Sequence, residues 1–380
     1  LFPYTTLFRS DKWFATPGVT ATYPTSCTVP AQMLVGRFPC NDEAELTTMI
    51  DKTLAVEAAA PGQGWRRRGI FVADDAWSSD AFSVGGDSER HFLEEGFQTS
   101  EDSLAARWDR FAGGAQEAVR FFLSTYLDPH VNPPEATARD PEEFKQYTAT
   151  EATPVLLAQL TQGALLVHYQ GHANAKVLCH EELIEDVRGT TLTRQDVLGM
   201  NNVGKPWVFF GLGCHISQWS ADQSDRAAQP SLGEKMLTHT GAAAAVYASP
   251  GYEYLTNNMD LAEVQGDAWL AAPPRPFDGA GEGRTRWVLG ELMLAAEARI
   301  LADPILRNLT TYREMVAQYG ILGDALLQPD AGPPVVAAEL ADAGGAPVTD
   351  GMALAALDAG NRRQLSLAAA DEAGVDRVEV

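Results

Sequence analysis

The chain is poor in several things. It has four cysteines in 380 residues, too few for a disulfide-built scaffold. It has no run approaching about eighteen apolar residues, so no transmembrane helix is expected. It is short of basic side chains: Lys plus Arg is 28 against 51 for Asp plus Glu, a formal charge of −23. So acidic a chain repels phosphate backbones, which argues against nucleic acid and anionic membrane surfaces as partners. No G-x-S-x-G is present, which weakens a serine-hydrolase reading. What remains is an ordinary globular mix, 45% hydrophobic and 21% charged, long enough for one large or two medium domains.

The chain opens on Leu1 rather than Met, and residues 1–10, LFPYTTLFRS, are similar to the translation of a common sequencing adapter. These ten residues are set aside from fold reasoning as an adapter-derived artefact. The natural protein is expected to be longer at its N-terminal side, and truncated also after the final stretch QLSLAAADEAGVDRVEV, where a strand is expected from Val375.

Strands and helices alternate along the middle of the chain. Asn41 to Glu57 has helical periodicity, with Asp42 and Glu45 as a capping arrangement and Leu46, Met49, Ile50 and Leu54 on one face. Gly69 to Ala73 is a short apolar run, expected as a buried strand. Residues 76–100 are expected to form a loop, a helix follows from about Ser103 to Tyr126, and the proline-rich stretch 128–148 is irregular. Next come a helix over 153–162, a strand over 163–168, a short helix over 193–199 and a strand over 206–210. A helix from Ser231 to Thr238 opens with the capping box Ser231 and Glu234; a small-residue strand covers 242–248, and helices cover 285–300 and 311–318. This alternation predicts an α/β fold with a largely parallel sheet covered on both faces. After Pro329 the chain is rich in Ala, Gly and Asp and has no aromatic residue, which reads as a linker and the start of a β-sandwich.

In open parallel sheets, ligands bind beyond the carboxyl ends of the strands. Two expected strands end in reactive side chains: GALLVHY runs into Gln170-Gly171-His172, and PWVFF runs into Gly211-Leu212-Gly213-Cys214. Adjacent parallel strands would set His172 and Cys214 side by side, the thiol as nucleophile and the imidazole as proton acceptor or donor. A strand-end cysteine is also often just a small buried hydrophobe, and a histidine after a strand just a loop residue, so spacing alone leaves both readings open.

The surrounding residues narrow this. YQGHA, VFFGLGCHISQW and SLGEKMLTHTGAAAAVYAS resemble the gingipain-type cysteine peptidases, which share a caspase-like fold with caspases and legumain. Tyr169, Gly171, His172, Cys214, Ser231, Glu234 and Ser249 match that family's pattern in order and spacing. Val35-Gly36-Arg37-Phe38-Pro39 resembles its Gly-Arg-x-Pro segment, and Gly323-Asp324 its closing Leu-Gly-Asp-Pro, with Ala325 in place of Pro. The resemblance implies a catalytic domain over 33–329, preceded at 11–32 by the end of a truncated subdomain and followed at 330–380 by a linker and a truncated immunoglobulin-like β-domain. It implies Cys214 as nucleophile, His172 as acid–base group, and Asp75, beside Asp74, as the acid that orients the imidazole. The amides of Ala173 and Cys214 would form the oxyanion hole. Ser249, Tyr252 and Tyr254 in SPGYEY would line the substrate pocket, with Asp87 near the point where arginine-specific members bind a cation. The family's Gly after the catalytic His is Ala173 here, and its Ala before the nucleophile is Gly213, an exchange expected to be sterically harmless. The implied enzyme acts on polypeptides, needs no cofactor, admits structural calcium, and is secreted or surface-bound in bacteria.

Two rival readings stand beside it. The pairs Cys179-His180 and Cys214-His215, with His168 nearby, are residue types that bind zinc, but adjacent residues at a strand end point apart and no C-x-x-C exists. The second rival is a caspase-like binding module that has lost activity through Ala173.

Overall fold

The computed structural model describes residues 12, 30–59, 63–75, 95–110, 116–126, 147–188, 193–219, 230–270, 288–329, 335–341, 364–371 and 374–379. In chain order the main elements are β1 (Gly36–Arg37), α1 (Glu43–Ala58), β2 (Arg68–Ala73), α2 (Glu95–Arg110), β3 (Glu117–Phe122), α3 (Thr153–Thr161) and β4 (Leu166–Gln170). There follow β5 (Val177–Leu178), β6 (Ile184–Arg188), β7 (Thr193–Gln195), β8 (Trp207–Leu212), α4 (Leu232–Thr238), β9 (Ala243–Ala248), α5 (Leu255–Leu270), α6 (Leu289–Ala302), α7 (Thr310–Gln318) and β10 (Gly320–Leu322).

β2, β4, β8 and β9 are buried along their whole lengths, as continuous apolar runs demand of strands covered on both faces. They form the centre of a seven-stranded sheet in the order β1-β10-β9-β8-β4-β2-β3, parallel except for the antiparallel β10–β9 pair. Alternate residues point to opposite faces. Phe71, Leu166, Val208, Phe210 and Tyr247 pack with Leu104, Trp108, Leu261, Trp269, Met293 and Met315 of α2, α5, α6 and α7. Ile70, Val72, Val167, Tyr169, Phe209 and Val246 pack on the other face with Met49, Leu156, Leu160 and Met236 of α1, α3 and α4. This is the expected α/β architecture. β5, β6 and β7 form a small antiparallel sheet beside it.

The two flanking motifs meet at one edge: β1 carries Gly36-Arg37, pairs in parallel with β10 just before Gly323, and Gly323 N–H donates to Arg37 O at 2.7 Å. Gly323 sits at φ +105°, open to glycine alone, and a Cβ on Gly36 would overlap Gly323 O.

Several expectations are corrected. The stretch 103–126 is not one helix: α2 spans Glu95–Arg110 and the chain then forms the edge strand β3, parallel to β2. Phe121 is buried while Glu117 and Arg120 are exposed, the uneven burial of an edge strand that carries no clear period. The helix therefore starts inside the expected 76–100 loop, whose residues 76–94, like 127–146, lie outside the described set. The strand expected over 163–168 begins later, at Leu166, because Gly163 turns through φ +83°. Residues 193–199 are the strand β7 and a 3-10 turn rather than a helix. α5 was not anticipated at all. Beyond residue 330, three strands (Val335–Ala341, Gln364–Asp371 and Gly374–Glu379) form an antiparallel sheet, and no second sheet facing it occurs among the described residues.

α1 begins where expected, with Asp42 Oδ1 accepting from Glu45 N–H at 2.9 Å. Its buried face differs: Met49, Lys52, Thr53 and Val56 point inward, while Ile50 and Leu54 are 42% and 56% exposed. Lys52 is the reason. Its Nζ donates to Met236 O, His239 O and Gly241 O at 2.9, 2.7 and 3.2 Å, satisfying carbonyls at the end of α4 and in the turn into β9. Burial lowers its amine to about 7. Lys52→Ala removes the partner of three carbonyls and is expected to cost about 1–3 kcal/mol in urea unfolding; a change below about 0.5 kcal/mol would contradict this role.

Candidate active site

β4 and β8 pair in parallel from Leu166↔Val208 to Gln170↔Leu212. His172 and Cys214 each stand two residues past that last pair, so both leave the sheet at the same carboxyl edge. The backbones approach closely there. Gly171 N–H donates to Leu212 O at 3.2 Å, and a Cβ on Gly171 would overlap Asp74 and Tyr169 side-chain atoms. A Cβ on Gly213 would lie 2.7 Å from Gly171 O and 2.9 Å from Ala173 Cβ. The exchange at 173 and 213 is therefore coupled rather than harmless: the Ala173 methyl occupies space that an alanine at 213 would need.

His172 is held from several sides. Its N–H donates to Asp74 Oδ2 at 2.8 Å; its carbonyl accepts from Cys179 N–H at 2.7 Å and from the Tyr169 hydroxyl. Phe97 of α2 stands edge-on to its ring at 5.7 Å, and His180 stacks on it at 4.2 Å with 16° between planes. Asp74 and Asp75 are both buried at the end of β2, and Asp75 N–H donates to Asp74 Oδ1 at 2.9 Å. Asp74 is thus the carboxylate that grips the main chain of His172, while Asp75, the residue expected to orient the ring, is its buried neighbour.

Cys214 is half-buried. Glu253 N–H donates to its Sγ at 3.3 Å, and Sγ lies 3.6 Å from Glu253 O. Burial pushes the thiol up, so it is a neutral thiol near pH 7. The loop after it is tied to residues 249–254: His215 N–H donates to Gly251 O at 2.8 Å and Ser217 N–H to Ser249 O at 3.0 Å. His215 takes φ +59°, unusual for a residue with a Cβ, and packs against Tyr252 at 4.4 Å. Arg37 lies over the Trp219 ring at 3.9 Å, joining the Gly-Arg segment to the loop after Cys214.

Of the other expected site residues, Ser249 is buried, with Oγ accepting from Gly251 N–H at 3.1 Å. Tyr252 and Tyr254 are 64% and 55% exposed at the lip of the same loop. Neither the Ala173 nor the Cys214 amide donates a hydrogen bond among the described residues. Asp87 lies outside them.

The zinc constellation is not assembled. His168 is buried under α2 and α5, with Nδ1 2.6 Å from Glu101 Oε1 and Nε2 3.3 Å from Gln265 Oε1. Cys179 instead groups with Asp74 and Glu181, their ligand atoms within 4.8 Å of one another. Burial and the neighbouring Asp75 and Asp74 push Glu181 well above the carboxylate range. Two carboxylates and a thiol fit calcium poorly, since calcium takes roughly six to eight oxygens.

The grip of Asp74, the two rings on His172 and the main-chain contacts of Glu253 were not foreseen. The sequence signals for them were Asp74, noted beside Asp75 as a neighbour of the imidazole, and Cys179-His180, which pointed to metal rather than to His172.

Glu253 has a further property. The residue is half-exposed, yet its Oε1 is shut from solvent, and burial raises the carboxyl to about 8. An acid raised on folding contributes stability below its unfolded value of 4.5, and that stability is lost as pH rises toward 8. Melting temperature should therefore fall across this window, and Glu253→Gln should flatten the fall; an unchanged slope would contradict a buried neutral Glu253. The coupled exchange is tested separately. Gly213→Ala alone should cost about 1–3 kcal/mol by overpacking, and adding Ala173→Gly should restore part of it in a double-mutant cycle, since the contact with Gly171 O remains. Additive losses would count against the coupling.

The sequence model of Peptidase family C25 matches residues 2–330. No curated protein matches the chain. Among solved structures, that of the Arg-specific cysteine proteinase gingipain R is similar at 15% identity and a TM-score of 0.57, over 99% of this chain and 79% of that one. The complex of Porphyromonas gingivalis RgpB pro- and mature domains is similar at 14% identity and a TM-score of 0.58, over 99% of this chain and 81% of that one.

Proposed function

As this chain belongs to peptidase family C25, the family of gingipain-type cysteine peptidases, we propose that it is an endopeptidase working through Cys214 and His172. The observation that carries this is the parallel β4–β8 register, which delivers the thiol and the imidazole to one edge of the sheet. Because the thiol is neutral, His172 takes its proton as Sγ attacks the scissile carbonyl. A C–S bond forms, and the amides of Ala173 and Cys214, which donate to no other described residue, hold the oxyanion. The imidazolium gives that proton to the leaving amine as the C–N bond breaks, leaving a thioester. His172 then takes a proton from water, the hydroxide displaces Sγ, and the proton returns to the thiol. Asp75 orients the imidazole, Asp74 fixes its backbone, and Ser249, Tyr252 and Tyr254 wall the pocket for the residue before the cleaved bond.

The inactive-module alternative rests on Ala173. Against that alternative, the Ala173 methyl stands where Gly213 leaves room for it. Polypeptides are the partners of this reading, and secretion or surface attachment and a following immunoglobulin-like domain belong to it too. No helix among the described residues is long and apolar enough to cross a membrane.

Cys214→Ser should abolish hydrolysis of a mixed peptide library, read by mass spectrometry, with melting temperature unchanged. Cleavage persisting in that variant would sink the assignment.

A further inference from the structure

We propose that His180 is a positioning residue for His172, holding the plane of its imidazole by stacking. The inference rests on the peptidase reading of Cys214 and His172 and adds a residue to it. The His180 ring lies 4.2 Å from the His172 ring, with 16° between planes. Phe97 approaches the same imidazole edge-on at 5.7 Å and 82°. The imidazole thus packs between two rings from separate elements, α2 and the turn after β5, while Asp74, Tyr169 and Cys179 bond to its main chain.

The turn that presents His180 is built for that purpose. Cys179 and Glu182 on either side of it adopt φ +57° and +58°, a left-handed conformation neither residue favours. The strain is held by a buried framework. Cys179 N–H donates to His172 O at 2.7 Å, and Leu183 N–H donates to Leu178 O at 3.0 Å and to Cys179 Sγ at 3.3 Å. Cys179 and Glu181 point inward beside Asp74, so His180 is left facing the site. Strained residues that persist near a site are commonly part of how it is organised. A proton-transfer group whose ring can swing is mispositioned for much of the time, and small misplacements are costly to rate.

The test compares the wild-type chain with His180→Ala and His180→Phe, the second keeping a stacking ring without a titratable nitrogen. Hydrolysis of fluorescein-labelled casein gives kcat and KM, the rate of iodoacetamide alkylation at Cys214 is followed by peptide mass spectrometry, and melting temperature reports the fold. In His180→Ala, kcat should fall on the order of 10- to 100-fold with KM changed less than about twofold, and in His180→Phe kcat should recover to within about threefold of wild type. Alkylation of Cys214 should slow and recover in the same order. Wild-type kcat in His180→Ala, or a His180→Phe variant as slow as His180→Ala at unchanged melting temperature, would overturn the proposal and leave the peptidase reading standing. If the wild-type chain hydrolyses no casein, the peptidase reading fails and the alkylation series decides alone: the same order upholds the positioning role, and equal rates overturn it.

Discussion

Everything at the site depends on the register between β4 and β8. Both strands are buried on both faces, so sliding either by one residue would turn its inward side chains to the wrong layer. The pairing that puts Val167 and Tyr169 in one core and His168 in the other also ends both strands level, at Gln170 and Leu212. His172 and Cys214 inherit their common edge from that constraint. Glycine at 171 and at 213 lets the two exits run close together, and Ala173 has taken up the room between them.

Around this edge the protein buries an unusual amount of acid. Asp74, Asp75 and Glu181 are almost fully shielded, with Cys179 and Tyr169 beside them, and burial raises the thiol and the phenol as well as Glu181. Asp74 accepts two amide hydrogen bonds, from His172 and from Asp75, which tie the end of β2 to the exit of β4. On the other side of Cys214, Glu253 contributes main-chain atoms to Sγ while its carboxyl remains buried. Main-chain contacts thus hold His172 and Cys214 in place, and the rings of Phe97 and His180 pack against the imidazole.

Much of the fold was legible because buried parallel strands announce themselves as apolar runs; β2, β8 and β9 fell within a residue or two of expectation. β3 was hidden because EAVRFF at a sheet edge also satisfies a helical spacing. α1 was placed well at its cap, but its inward face was misjudged, since a lysine with three carbonyl acceptors is buried in preference to Ile50 and Leu54. At the site, the paired positions of His172 and Cys214 followed from strand ends and family resemblance. The supporting groups did not, because Asp74, Phe97, His180 and Glu253 reach it from four separate segments, and only the folded chain brings those together.

Peptidase and inert module share this fold and differ in whether His172 activates Cys214. The direct measurement is labelling with a panel of peptide chloromethylketones, mapped by mass spectrometry in the wild-type chain and in His172→Ala. Selective modification of Cys214, lost in His172→Ala, is the predicted result. Labelling of Cys214 no faster than that of the exposed Cys40, or unaffected by the loss of His172, would contradict it.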